Sequence, residues 1–400
     1  LVRCRRIVPA FQHQRRSLPR NLGRGRMRFA RRIMLAATAL LSSSALAQET
    51  SLTVPIIAPI TGLLALEGTS QLNGANMAIA HAPAGLKIKS QVIDSGTAAE
   101  GGANALERVA GDKSTYFSVA PLFGTQVLAM LPVALEYKIP ILAPTGTGPV
   151  TEQGNPYMFR LYPHDAVSKA AHIRYVVEEL KLKKAAILYN TTGYGQSGFK
   201  YMSEYLTKVG GEVIFSEGVD LSAKEISATL AKLKAAKPDV VLIQMHSASI
   251  AMVVKQLAAA NIQIPVVGNT TIAMPATASL LQPSELKGVC AESASWLEKG
   301  ADAATDRFIN DYVSKHGAMP DAYAIQQYDG LMMALVAVKG GAKSTEDVRK
   351  YMSTTEYKGV AMRYKADAKG NLAHSVVIVC YDGASLNPKL VKRYDNVAGF

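Results

Sequence analysis

Ser222-Ala223-Lys224-Glu225-Ile226, with Leu230 and Leu233 beyond it, runs into Val240-Val241-Leu242-Ile243-Gln244. Ser222 and Glu225 have the spacing of a capping box, in which a hydroxyl and a carboxylate satisfy free N–H groups at a helix start. Ile226, Leu230 and Leu233 recur at i, i+4 and i+7, which marks one buried face of a helix. Val240–Gln244 is apolar without alternation, as a strand covered on both faces demands. A helix feeding a doubly covered strand is the repeating unit of an α/β protein with parallel sheets.

The same alternation extends in both directions. Strands are expected at Leu52–Ile57, Lys87–Ile93, Tyr116–Val119, Ile139–Ala143, Ala185–Tyr189, Glu212–Phe215, Val240–Gln244 and Val266–Gly268. Asp165 is expected to cap a helix running to Leu180, with Val167, Ala171 and Val177 inward. A helix starting near Gln196 should stop at Gly210-Gly211. After Ala294 come helices at Ala303–His316, Asp321–Lys339 and near Thr345–Met352, and a closing strand at Ser375–Tyr381. About 350 residues of this pattern exceed a single hydrophobic core, so two doubly wound α/β lobes are expected.

The composition is 48% hydrophobic and 19% charged, which excludes disordered, collagen-like and coiled-coil chains. The net charge of +13 would suggest nucleic acid or an anionic membrane as partner. Its location argues otherwise. Residues 1–47 hold eleven arginines and no lysine, aspartate or glutamate, which leaves 33 basic and 31 acidic residues beyond them, a net of +2. Arg28, Arg31 and Arg32, the apolar Ile33–Leu41 and the small-residue site Ala45-Leu46-Ala47 read as a secretory signal peptide over 27–47, cleaved after Ala47. Residues 1–26 read as an upstream extension. The apolar run is shorter than the roughly 20 residues a bilayer span needs. Export implies an oxidising compartment, the periplasm. Cys290 and Cys380 both lie in strand-like runs, and two readings are open: buried thiols or a single disulfide.

Enzyme motifs are few. Gly193-Tyr194-Gly195-Gln196-Ser197-Gly198 matches the dinucleotide fingerprint G-x-G-x-x-G. However, Asn190-Thr191-Thr192 separate it from its strand, and Glu212 starts the next strand instead of ending it. A flexible strand-to-helix loop is the stronger reading. The sequence has no P-loop, no C-x-x-C and no histidine pair at i, i+4, and its seven histidines are scattered. No catalytic residue, cofactor or metal is expected.

A set of segments resembles the periplasmic branched-chain amino-acid binding proteins. It begins with Val54-Pro55-Ile56-Ile57-Ala58-Pro59-Ile60-Thr61-Gly62, Gly68 and Asn73-Gly74-Ala75. It continues with Ile139-Pro140-Ile141-Leu142-Ala143-Pro144, then Met158-Phe159-Arg160 with Pro163 and Asp165, then Tyr194-Gly195. Leu233-Lys234-Ala235-Ala236 with Pro238-Asp239, then Phe308, Tyr312, Gly317 and Pro320, and finally Tyr328-Asp329-Gly330 complete it. The resemblance covers nearly all of 50–385 and implies a type I solute-binding protein of an ABC importer. Its two lobes would be joined by three crossovers and close on a ligand by hinge motion. The implied crossovers lie near Arg160–Pro163, Ser295–Leu297 and Tyr357–Val360. Lobe I would then be 48–160 plus 297–357, and lobe II 161–296 plus 358–400. The implied partners are a small ligand and a membrane permease, with the protein a monomer.

Ligands of open α/β sheets lie beyond the carboxyl ends of strands, beside helix N-termini. Gly124-Thr125 and Thr145-Gly146-Thr147-Gly148 follow two such strands and can aim N–H groups and hydroxyls at an anion. The resemblance implies that these loops seat a ligand carboxylate. It also places Tyr194, His246 and Glu67 at ligand-contacting positions, and it puts Trp296 beside a hinge. One departure stands out. Relatives that bind amino acids carry an acid after the strand matching Val266–Gly268, whereas this chain has Asn269-Thr270-Thr271. With Thr270 in place of that acid, an aromatic acid or an amide rivals a branched-chain amino acid as ligand. A ligand sensor and a dinucleotide-dependent enzyme are the remaining alternatives.

Overall fold

A computed structural model describes residues 50–397 of the chain. The expected signal peptide over 27–47 and upstream extension over 1–26 lie outside the described residues.

Two central sheets organise the molecule. The first is all parallel and has five strands in the order β2-β1-β3-β4-β5. These are β1 (Thr50–Ala58), β2 (Leu86–Asp94), β3 (Ser118–Val119), β4 (Ile141–Ala143) and β5 (Met158–Arg160). Helices α1 (Ala65–Ala80), α2 (Gly101–Ala110), α3 (Gly124–Glu136) and the short α4 (Pro149–Glu152) connect them. The second sheet has seven strands in the order β14-β13-β10-β9-β8-β6-β7. Its parallel part is β6 (Lys184–Asn190), β7 (Glu212–Val219), β8 (Val240–Gln244), β9 (Val266–Gly268) and β10 (Val289–Ser293). Between these lie α5 (Asp165–Arg174), α6 (Gly193–Lys208), α7 (Ser227–Ala236), α8 (Ser247–Ala259) and the short α9 (Pro275–Ala278). Helices α10 (Ala303–His316), α11 (Ala322–Lys339) and α12 (Thr345–Thr354) return to the first sheet, where Phe308, Leu331, Leu335, Val348 and Met352 join the core around Leu52, Val54 and Ile56. The small pair β11 (Tyr357–Lys358) and β12 (Arg363–Tyr364) follows. The chain then adds β13 (Val376–Cys380) and β14 (Lys389–Tyr394) antiparallel to the second sheet.

All five residues of β8 are buried, as a strand covered on both faces requires. Four expectations change. First, Ser222 and Glu225 form no capping box. Ser222 bonds Asp220 instead, and Glu225 accepts the Ser227 N–H at 2.8 Å, so the helix starts at Ser227. Second, Asp165 does not cap its helix. His164 Nδ1 accepts the Ala166 N–H at 2.9 Å, and Asp165 is the first helical residue. Third, β13 is not the closing strand, because β14 lies beside it. Fourth, Tyr364, Leu372 and Ala373 pack in the first sheet's core, whereas Val376 packs in the second's. The last passage between the sheets therefore falls at 373–376 and not at Tyr357–Val360. The open question of the cysteines resolves as a disulfide, with Cys290 and Cys380 directly opposite across the β10–β13 pair. Among the described residues no helix is long and apolar enough to cross a membrane.

Candidate functional site

The carboxyl ends of β3 and β4 carry the first group of candidate residues. Gly124 opens α3, and a Cβ there would lie 2.1 Å from Thr147 Oγ1, so only glycine allows this approach. Thr145 and Thr147 are buried with their hydroxyls 3.4 Å apart, and Thr125 is half-buried on the first turn of α3. The first N–H groups of α3 have no carbonyl of their own helix to bond, which leaves a donor-rich end.

Arg160, at the end of β5, fixes this loop from behind and is fully buried. Its Nη1 donates to Thr145 O at 2.6 Å, and its Nη2 donates to Thr147 O at 2.8 Å and Gly148 O at 3.0 Å. Nη2 also reaches Thr151 Oγ1, and Nε reaches Asn371 Oδ1. A trans peptide points its N–H opposite to its C=O. Holding Thr145 O on the guanidinium therefore turns the Gly146 N–H away from Arg160. Gly146 faces the other half of the molecule, where a Cβ would lie 2.5 Å from Asp165 Oδ1 and 3.4 Å from Tyr194 Cε2. Burial pushes the guanidinium down to about 10, against the pull of Asp165 and Glu152, so it stays charged at neutral pH.

The second group centres on Glu67. This side chain lies in the first turn of α1 and is fully buried. Its Oε1 accepts the Ser247 N–H at 2.7 Å. Helix α8 has no side-chain cap of its own, so a carboxylate from the first half caps a helix of the second. The His246 Nδ1 lies 3.6 Å from the same oxygen. Burial pushes the Glu67 carboxyl up, but the His246 ring and the Ser247 N–H outweigh it and leave the carboxyl below its ordinary range. The His246 ring sits between Phe123, at 5.6 Å, and Tyr194, at 5.2 Å. The Tyr194 hydroxyl accepts from Asn269 Nδ2 at 2.9 Å.

Of the eight residues singled out by sequence, Gly124, Thr125, Thr145 and Thr147 form one cluster, and Glu67, Tyr194 and His246 another. Tyr194 meets Gly146 and joins the two. Thr270 stands apart. Its hydroxyl donates to Ser293 Oγ at 3.1 Å and accepts the Ala294 N–H at 3.2 Å. It lines a cavity of about 170 Å³ beside Trp296 and Leu297.

Six further residues escaped the sequence reading: Arg160 as a loop anchor, and Asp165, Lys169, Glu292, Tyr162 and Tyr323 around the same space. Lys169 and Glu292 are fully buried and paired with each other. Both Asp165 oxygens and Glu292 Oε2 are buried without a partner. Burial pushes the Asp165 carboxyl up to about 6, with Lys169 holding it down. Tyr162 and Tyr323 stack at 5.7 Å. The one available signal was Glu292, a carboxylate inside the apolar run Val289–Ser293. The glycine-rich loop has a packing role: a Cβ on Gly195 would lie 1.9 Å from Asn190 O, and one on Gly198 would lie 2.4 Å from the Gln244 side chain.

A family model described as periplasmic binding protein matches residues 51–384. The chain belongs to the periplasmic binding protein family. Members of this family are substrate-binding proteins of transporters and work outside the cytoplasm. The Leu/Ile/Val-binding protein of Citrobacter freundii is 23% identical over 355 residues, 85% of this chain and 93% of the relative. Leu/Ile/Val-binding protein homolog 3 of Brucella melitensis is 28% identical over 59% of this chain and 65% of its own length. Two solved structures show the same fold. A branched-chain amino-acid substrate-binding protein of Streptococcus pneumoniae, in complex with isoleucine, has a TM-score of 0.78 at 20% identity, covering 86% of this chain and 99% of the other. A solute-binding protein of Rhodopseudomonas palustris, in complex with benzoate, has a TM-score of 0.79 at 18% identity, covering 88% and 98%. The fold of this periplasmic binding protein is thus type I.

Proposed function

We propose that this periplasmic binding protein captures a small carboxylate-bearing ligand between its two sheets and delivers it to the permease of an ABC importer. The carrying observation is the Thr145–Gly148 loop, whose carbonyls are drawn onto Arg160 so that the Gly146 N–H turns the other way. With the start of α3 and the hydroxyls of Thr125, Thr145 and Thr147, that N–H makes a seat for an anion. The two solved relatives cited were complexed with isoleucine and benzoate, which share a carboxylate.

In this reading the exported chain starts at Gln48 and acts as a monomer. No step of covalent chemistry is involved. Micromolar affinity corresponds to about −8 kcal/mol, which charge-assisted hydrogen bonds and apolar burial supply. The double variant Thr125→Ala, Thr147→Ala is expected to lose at least about tenfold in affinity by calorimetry, from two hydrogen bonds to a charged group. Unchanged affinity would overturn the carboxylate seat.

A further inference from the structure

The buried region around Glu67 and Glu292 is acidic and aromatic. Glu67 spends only Oε1 on the Ser247 N–H, and its Oε2 is buried with no partner in the protein. Glu292 Oε2 and both oxygens of Asp165 are in the same condition. Tyr162, Tyr194 and Tyr323 stand among these carboxylates, all buried. Burial pushes the Tyr323 and Tyr194 hydroxyls well above their ordinary range, with Glu67 and Glu292 adding to it at Tyr323, and Glu292 and Asp165 at Tyr194.

The positive charge on hand is committed. Lys169 is paired with Glu292, the His246 ring faces the Glu67 oxygen that already accepts the Ser247 N–H, and Arg160 is bound to the carbonyls of the Thr145–Gly148 loop. A ligand that is only an anion would add a further negative charge to this buried region. A desolvated unpaired charge costs several kcal/mol. A cation satisfies the space instead: an ammonium carries three donors for carboxylate oxygens, and tyrosine faces attract it.

We propose that the free oxygen of Glu67 seats a ligand ammonium group. The proposal rests on the carboxylate-seat reading for the other end of the ligand, and the two together define a zwitterion with a primary amine. The acid missing at Thr270 is thereby replaced from the opposite half of the molecule. The Ser247 N–H orients the carboxylate, because it fixes one oxygen and leaves the other for the amine.

The test is a thermal-shift and calorimetric panel on the intact protein. The probes are the twenty L-amino acids, the amine-free acid of each one that binds (4-methylpentanoate for leucine, included in any case), 3-methylbutylamine (leucine without its carboxylate), and benzoate. At least one amino acid should raise Tm, and its amine-free counterpart should bind about a hundredfold more weakly, as expected for a buried acceptor left unpaired. Glu67→Gln keeps an oxygen for Ser247, so a purely structural role would leave every probe unchanged or weaken all alike. The ammonium seat instead demands a loss of about tenfold or more for the amino acid, with the amine-free acid held within about threefold.

Binding of benzoate or 4-methylpentanoate without any amino acid overturns the Glu67 seat and leaves the carboxylate seat standing. Binding of 3-methylbutylamine as tight as that of leucine removes the carboxylate seat and supports Glu67. A protein that answers to no probe overturns both.

Discussion

Asp329, on α11, shows how one buried carboxyl ties elements together and makes stability depend on pH. Its oxygens accept the Val360 N–H at 2.8 Å and the Ala361 N–H at 3.1 Å, which anchors the turn after β11 to the helix. The Tyr364 hydroxyl lies 3.0 Å from Oδ2 and 2.9 Å from Gln326 Oε1. A protonated Asp329 donates to Tyr364, which in turn donates to Gln326, so the neutral form is accommodated. Burial pushes this carboxyl up to about 7 from 3.8, against the pull of the two N–H groups and Tyr364. The folded state thus binds the proton more tightly than the unfolded chain. The resulting contribution is fully present below 3.8 and is lost as pH rises through about 7. In urea unfolding, wild type should therefore lose stability relative to Asp329→Asn between pH 4.5 and 7, roughly, and hold a constant difference above about 8. A difference that stays flat across the acidic range would show that Asp329 is ionised throughout. Around the site, sequence reading found the neutral residues, His246 and Glu67, and overlooked the other charged ones. Thr145, Thr147 and Tyr194 follow strand ends, where ligands of such sheets lie. Arg160, Lys169 and Glu292 are charged residues in a fold that seldom buries them, and only tertiary pairing reveals that they are inside.

Among the elements, the parallel strands were the most legible, because a strand covered on both faces writes its burial into a continuous apolar run. Val240–Gln244 and Val266–Gly268 have the same bounds in sequence and structure. β14 was overlooked because an edge strand carries no such run: Lys389, Val391, Lys392 and Arg393 are exposed there. The start of α7 was misplaced because Asp220 competes for Ser222, and no local pattern ranks one polar partner above another. The cysteines were undecidable for a similar reason, since their separation depends on which strands pair. Once β10 and β13 pair antiparallel, Cys290 and Cys380 are opposite residues. The disulfide closes a loop with a sequence separation of 90, for which chain entropy gives about 4–5 kcal/mol. Reduction, or Cys290→Ala with Cys380→Ala, should lower the unfolding free energy by that order and the denaturant midpoint with it, with m raised because the uncrosslinked chain unfolds to a more open ensemble. Equal midpoints with and without reductant would mean that the pairing of β10 with β13 holds without the bond.

At the scale of the whole molecule, function depends on how the two halves meet. The Gly148 N–H donates to Ser197 Oγ at 3.0 Å, and the Tyr201 hydroxyl donates to Glu152 Oε1 at 2.8 Å. With Glu67 on Ser247, these bonds join elements of the first sheet to elements of the second across a shut cleft. The Tyr201 ring packs against Gly148 at the edge of the carboxylate loop, and Tyr201→Phe keeps that ring, so the variant removes only the bond to Glu152. A ligand held between two halves leaves only when they part, so weakening a closure bond shows in the dissociation rate and not in the encounter. The chain supplies its own reporter. Trp296 is the one tryptophan of the sequence, and it lines the cavity at the passage from β10 to α10. Its emission should therefore change when ligand closes the cleft. In stopped-flow fluorescence on whichever amino acid or acid binds, Tyr201→Phe should raise the dissociation rate about fivefold, the equivalent of one net hydrogen bond. The association rate should stay within about twofold. An equal fall in association rate, or an unchanged dissociation rate, would mean that the Tyr201–Glu152 bond does not contribute to holding the halves together.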